Sequence, residues 1–192
     1  MLPPICSAPR TRNAAATRQA MLETARRHFA RETYENVGLR EIAREVGVDP
    51  ALISRYFGSK EGLFREVLRH PDDGEFLTGV TAESLPEYFT GLLMEPATHD
   101  TAAKTEWLLI VLRSAGSSQA SQIVRDTMHE GVLEPISQIL GGGEAAELRA
   151  SLVLAVLMGG AVLRTMGLKS LACSEGGPFR DKLVALLKEA VH

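Results

Sequence analysis

The sequence predicts an all-α protein, built as a three-helix helix-turn-helix unit followed by a larger helical body. Three observations predict it. Ala, Leu, Glu and Arg are abundant while aromatic residues make up only 5% of the 192 residues, and those four types lose little on entering a helix. Apolar residues recur every three or four positions in each segment, with no sustained period-two alternation. Short clusters of Gly, Ser, Pro and Asp separate the periodic runs.

The elements follow in chain order. Met1 to Pro9 is Pro-rich, and residues 1–14 are expected to form a flexible arm. Met21, Leu22, Ala25 and Phe29 then make one apolar stripe, and the helix carrying it should end at a break from Thr33 to Gly38. A second helix is expected from Leu39 to Val46, with Ile42, Ala43 and Val46 inward and Gly47 as its stop. Asp49 can cap the next helix, Pro50 to Phe57, with proline at its first position. Gly58 ends that helix, and Ser59 caps another from Lys60 to about Arg69. His70-Pro71-Asp72-Asp73-Gly74 reads as a loop and as the boundary between a unit at 15–69 and a body at 76–192. In the body, helices are expected at Leu85–Met94, Ala103–Ala115, Gln119–Leu140, Ala145–Leu171 and Pro178–Val191.

Apolar residues make up 45% and charged residues 23%, the balance of a folded globular chain. The net charge of −3 hides an asymmetry. Residues 1–69 hold 12 Lys/Arg against 8 Asp/Glu, and the rest hold 9 against 16. A basic end on an acidic body suggests a polyanion partner for that end, or simply a solvated basic helix. Cys6 and Cys173 are too few for a metal site and outline no disulfide framework, so a reducing, cytoplasmic compartment is expected. The N-terminus lacks the order of a signal peptide. The greasiest run, Ala150 to Leu163, is bracketed by Arg149 and Arg164. It falls short of the roughly 20 residues a bilayer needs, so no membrane partner is expected.

Leu39 to Phe57 gives a helix, a Gly-centred turn and a second short helix, the arrangement in which the second helix can enter the major groove. Gly47 suits a tight turn, Ala43 lets the helices approach, and Val48 and Ile53 would fill the core beneath. Ala51, Leu52, Ser54 and Arg55 are then the candidates for the outward face, with Arg40 a further possible base reader. Arg55 could pair with a guanine edge or meet a phosphate, and Ala51 and Leu52 could touch a thymine methyl. A helical hairpin with a solvated face is the plainer alternative.

The run from Gly47 to Leu63, with Tyr56-Phe57-Gly58-Ser59-Lys60-Glu61 as its tail, resembles the signature of the TetR/AcrR family of transcriptional regulators. So do Met21-Leu22-Glu23-Thr24-Ala25, Phe29-Ala30 and Leu39-Arg40-Glu41-Ile42-Ala43; the match covers roughly residues 15 to 68. The resemblance implies that Tyr56 and Lys60 bind phosphates at the groove edge, where contacts fix orientation without reading sequence. Lys60 also stands at a helix N-terminus, whose N–H groups and dipole favour an anion. Arg10, Arg12 and Arg18 could add contacts from the arm. The chain departs from the family at Thr33, where glycine is common, at Gly38, where threonine is common, and at Ser54, where tyrosine is frequent. Those departures leave the scaffold intact; Ser54 lies where bases would be read.

For the body, the resemblance implies a ligand-binding domain whose last two helices pair with a second copy. The residues support this separately. Leu148, Leu152, Val153, Val156, Leu157 and Val162 cover more than one stripe, and Gly159, Gly160 and Ala161 would admit a neighbouring helix. Leu183, Leu186 and Leu187 form one face of the final helix. A four-helix seam between two copies would bury these faces; a central core helix in a monomer is the alternative. A dimer would present two reading helices about 34 Å apart and require a roughly palindromic duplex operator. Phe89, Met94, Trp107, Val111, Met128, Val132 and Met158 could line an apolar cavity for a small, hydrophobic effector, with His129 as one polar contact. Each is also an ordinary core residue at that spacing.

The sequence argues against catalysis and against a bound cofactor. No Gly-rich phosphate loop ends in Lys-Ser/Thr, and Gly141-Gly142-Gly143 follows no strand. His28, His70, His99, His129 and His192 show no paired metal-ligand spacing, and no nucleophile-elbow motif occurs. An activator, or a DNA-binding structural or cell-division factor on the same scaffold, remains open beside a repressor.

Overall fold

A computed structural model of the chain describes residues 10–69, 75–94, 99–166 and 177–192. Among them there is no strand. Helix α1 spans Arg10–Arg31, so the last five residues of the expected arm are helical. The Ala14-Ala15-Ala16 run, with its high propensity, draws the helix back toward Pro9. The expected break holds a single 3-10 turn, Tyr34–Asn36.

Helix α2 (Leu39–Val46) starts from extended Gly38 and stops at Gly47, whose φ of 80° is left-handed. The Gly47 N–H donates to the carbonyls of Ala43 and Arg44, which closes the helix and turns the chain. Asp49 caps α3 (Pro50–Phe57) by accepting from the Ala51 N–H at 2.7 Å. Ser59 caps α4 (Lys60–Leu68) by accepting from the Gly62 N–H at 3.1 Å. The loop read at 70–74 lies outside the described residues.

Helix α5 (Leu85–Met94) has the expected bounds, and α6 (His99–Ser114) begins four residues before the expected start. The expected single helix from Gln119 to Leu140 is instead a composite: α7 (Ser121–Met128), a π turn at His129–Leu133 and α8 (Glu134–Ile139). Pro135 explains the change of register, because it has no N–H for a preceding carbonyl and its ring crowds the turn before it. The Glu134 N–H reaches His129 instead. Three consecutive glycines with positive φ, Gly141 to Gly143, turn the chain into α9 (Gly143–Thr165). The expected end of that helix, residues 167–171, lies outside the described residues. Helix α10 spans Pro178–Val191 as expected.

Two apolar cores result, and they do not divide where the chain does. The first joins α1–α4 to α6 and α7: Met21, Phe29, Tyr34, Ile42, Ile53 and Phe64 cluster with Ile110, Val111, Ile123 and Val124. At its centre Phe64 meets Phe29 and Tyr34 edge-on, with centroids 4.8 Å and 4.9 Å away, the geometry aromatic quadrupoles favour. The second core gathers α5, α8, α9 and α10 around Leu85, Phe89, Ile136, Val153 and Leu187.

Trp107 on α6 fastens the end of α4 to the body. Its indole N–H donates to the Leu68 carbonyl at 2.8 Å, supplying a partner to the last turn of α4. Trp107→Phe keeps the ring packing and loses that bond. It is expected to lower stability by about 1 kcal/mol, measured as a lower urea midpoint with an unchanged m-value.

Gly143–Arg164 is long enough and, at a mean hydropathy of 1.7, apolar enough to cross a membrane by length and composition. This corrects the expectation that the run is too short, because the helix extends well before Ala150. Its Ala146, Ala150 and Val153 are wholly buried against the second core. Arg149 donates to the carbonyls of Leu140 and Val191. One face of α9 is therefore already committed to packing inside the fold.

Candidate nucleic-acid interface

The segment with the strongest sequence signal stands at the surface on a rigid base. Ile53 and Phe57 are buried and anchor α3 to the first core. That leaves Ala51, Ser54 and Arg55 exposed, with Arg40 and Arg44 exposed on α2 beside them. Leu52 is half-buried and packs against the core, so only part of it faces outward. Arg44 carries the same charge and exposure as Arg40 and was not singled out in the sequence; its place one turn further along α2 is the signal that could have found it.

The two expected phosphate ligands are both engaged with protein. The Tyr56 hydroxyl donates to the Ala14 carbonyl at 3.4 Å, tying α3 to α1. The Lys60 ammonium donates to the Glu35 carbonyl at 3.3 Å and lies 4.5 Å above the Tyr34 ring, a cation–π contact. Partial burial lowers the Lys60 pKa, opposed by the charges of Glu35 and Glu61. Tyr34 itself is buried, and burial first, then the Glu61 charge, raises its phenol well above the ordinary value. It remains neutral, a flat floor under the ammonium.

Arg18 departs from its expected place in an arm that reaches for DNA. Its guanidinium pairs with Glu66 at 2.6 Å and lies 5.1 Å from the centre of the Phe57 ring. It therefore links α1 to α4 and steadies the end of α3. The side chains of Arg10 and Arg12 lie outside the described residues. A second clamp was missed in the sequence: Glu45 on α2 accepts from Arg27 at 2.8 Å and meets the His28 ring nitrogen at 2.8 Å. Arg27 foremost, then His28, holds the Glu45 carboxyl below the usual range. Only the fold shows that partners 17 and 18 residues apart share one surface.

The candidates for an effector cavity separate into distinct places. Phe89 and Val132 belong to the second core, Trp107 and Val111 to the first. Met94 is half-buried at the end of α5. Met128, His129 and Met158 do come together, along an open groove of about 500 Å³ between α7, the π turn and α9. Val124, Leu133 and Leu154 add apolar wall there, and Gln122, Arg125 and Asp126 form its polar edge. Among the described residues no three His, Cys, Asp or Glu side chains gather as a metal site would require.

The model of bacterial regulatory proteins of the tetR family matches residues 21–67, and a tetracyclin repressor-like C-terminal domain matches residues 83–176. The HTH-type transcriptional repressor AcnR of Corynebacterium efficiens is 32% identical over 120 residues, covering 62% of this chain and 60% of that protein. AcnR of Corynebacterium diphtheriae is 32% identical over 123 residues, covering 63% of this chain and 64% of that one. The chain thus spans about three-fifths of the length of these relatives. In fold, it is similar to the crystal structure of NalD, the secondary repressor of the MexAB-OprM multidrug efflux pump in Pseudomonas aeruginosa. The TM-score is 0.68 at 19% identity, over 93% of this chain and 96% of that one.

Proposed function

Because this chain belongs to the tetR family of bacterial regulatory proteins, we propose that it is a cytoplasmic transcriptional repressor that binds a palindromic operator as a homodimer. The observation that carries this reading is α3 itself: a short helix, capped at Asp49, anchored by Ile53 and Phe57, with Ala51, Ser54 and Arg55 left exposed. Arg55 and Arg40 can read guanine edges, and Ala51 can meet a thymine methyl. Tyr56 and Lys60 take phosphates at the groove edge once released from Ala14 and Glu35.

A second copy is the natural cover for α9. Leu148, Leu152, Ala155, Gly159, Leu163 and Met166 are all exposed, at spacings of three and four that form one continuous stripe. Leu186 continues the apolar surface on α10, 53% exposed. Six such positions on one face exceed what a monomer's surface ordinarily shows. The effector in this reading is a small apolar molecule seated in the groove at Met128, His129 and Met158. By linkage it weakens DNA binding only as far as it prefers the released arrangement of helices.

The direct test is affinity for duplex DNA as a function of salt. Each phosphate neutralised contributes about 0.9 to the slope of log K against log salt. Lys60→Ala is expected to weaken binding to every duplex and flatten that slope by about one unit for each protomer engaged. Binding with no salt dependence at all, or an unchanged slope in Lys60→Ala, overturns the assignment of Lys60 to the backbone.

A further inference from the structure

Two carboxylates lie close enough to Lys60 to act on its charge, Glu35 and Glu61. Neither is within ion-pair distance of its ammonium among the described residues. Glu61 is taken up by its own backbone N–H and by Ser59. Glu35 is taken up from a distant part of the sequence, by the hydroxyl of Ser117, 82 residues further along in the turn before α7. That hydrogen bond is the main reason the Glu35 carboxyl is held below the usual range.

Ser117 is fully used. Its one hydroxyl proton goes to Glu35, and its oxygen accepts from the N–H groups of Gln119 and Ala120 at 3.2 Å and 2.9 Å. Those two N–H groups belong to the turn that opens α7. From there α7 runs to Met128, and Gln122, Val124, Arg125 and Met128 line one wall of the groove. The chain of contacts therefore leads from the groove along one rigid helix to Ser117, then Glu35, then Lys60.

We infer that Glu35 is a positioning residue for DNA binding: Ser117 holds its carboxylate away from the Lys60 ammonium and thereby leaves that charge free for a phosphate. When α7 shifts and Ser117 withdraws, the carboxylate loses its main partner, keeps only its own backbone N–H and Thr33, and swings onto Lys60, which already contacts the same residue's carbonyl. An ammonium neutralised within the protein no longer displaces a counterion from DNA. The inference rests on Lys60 meeting the DNA backbone, and it adds the device that grants or withdraws it.

The test is the salt dependence of binding to a mixed-sequence DNA duplex, with each full-length variant measured well below its own melting midpoint. Ser117→Ala should bind roughly five- to tenfold more weakly near 0.1 M salt and lose about one unit of slope per protomer. Glu35→Gln added to Ser117→Ala should restore the wild-type slope, because the competing charge is gone while the damage to the α7 turn is identical. Ser117→Asp keeps an acceptor for that turn, loses the donor and adds a charge that repels the Glu35 carboxylate toward Lys60, so it gives at least the same loss should Ser117→Ala fail to fold. In a Lys60→Ala background, Ser117→Ala should leave the slope where Lys60→Ala put it. A double variant as weak as Ser117→Ala alone, or a Ser117→Ala slope equal to wild type, overturns the inference. An unchanged slope in Lys60→Ala alone instead removes the phosphate contact on which it rests.

Discussion

Gly62→Ala is expected to abolish duplex binding and to destabilise the protein by about 3 kcal/mol, the upper end of ordinary overpacking. A Cβ built on Gly62 would overlap the Phe57 carbonyl oxygen. That oxygen cannot yield, since it closes the corner between α3 and α4 by accepting from the Ser59 N–H at 2.9 Å. Elsewhere in a helix the same change gains up to about 1 kcal/mol, because alanine is the better helix former. The sign of the change in urea midpoint therefore decides the matter. A stabilised Gly62→Ala that still binds DNA would mean that α3 and α4 do not meet at this close corner.

Leu152→Asp should convert a dimer into a monomer and remove operator binding with little loss of fold. The side chain is 49% exposed, and Leu148, one turn away, is 64% exposed, so a single chain loses only part of one side chain's packing there, beside a small cost in helix propensity. In a two-fold seam the substitution enters twice. Losing about 2 kcal/mol per copy weakens association by roughly a thousandfold. Sedimentation of the wild-type and variant proteins at matched concentration measures it. A wild type that sediments as a monomer, or a variant that sediments with an intact dimer, overturns the seam on α9.

Much of the reading unit is legible in the sequence because its signals are local. Gly47 at a left-handed turn, Asp49 and Ser59 at helix caps and Pro50 at a first helical position each act on neighbours within four residues. The bounds of α2 and α3 and the start of α10 follow from such signals. What the sequence does not reveal depends on distance. Arg18 looks like one more basic residue of an arm until Glu66 and Phe57 are brought to it, and Glu45 gives no hint of Arg27 and His28. Ser117 is an unremarked loop serine until Glu35 faces it. The change to a π register before Pro135 is legible in principle, since proline inside an apolar helical period always demands some accommodation. The cavity residues are the least legible, because a Met or Phe at helical spacing has the same pattern whether it faces a neighbour or a groove. Here Phe89 and Val111 face neighbours, and Met128 and Met158 face the groove.

The first core has a consequence for protein engineering. Phe64 and Leu68 share a core with Ile110, Val111, Ile123 and Val124, so a graft cut between residues 69 and 75 would expose a greasy wound on both fragments. A chimera that joins this chain's helix-turn-helix unit to another helical body would have to carry α6 and α7 along with the first four helices. The transplantable module is thus larger than its sequence signature, and its seam follows side-chain contacts rather than the order of the chain.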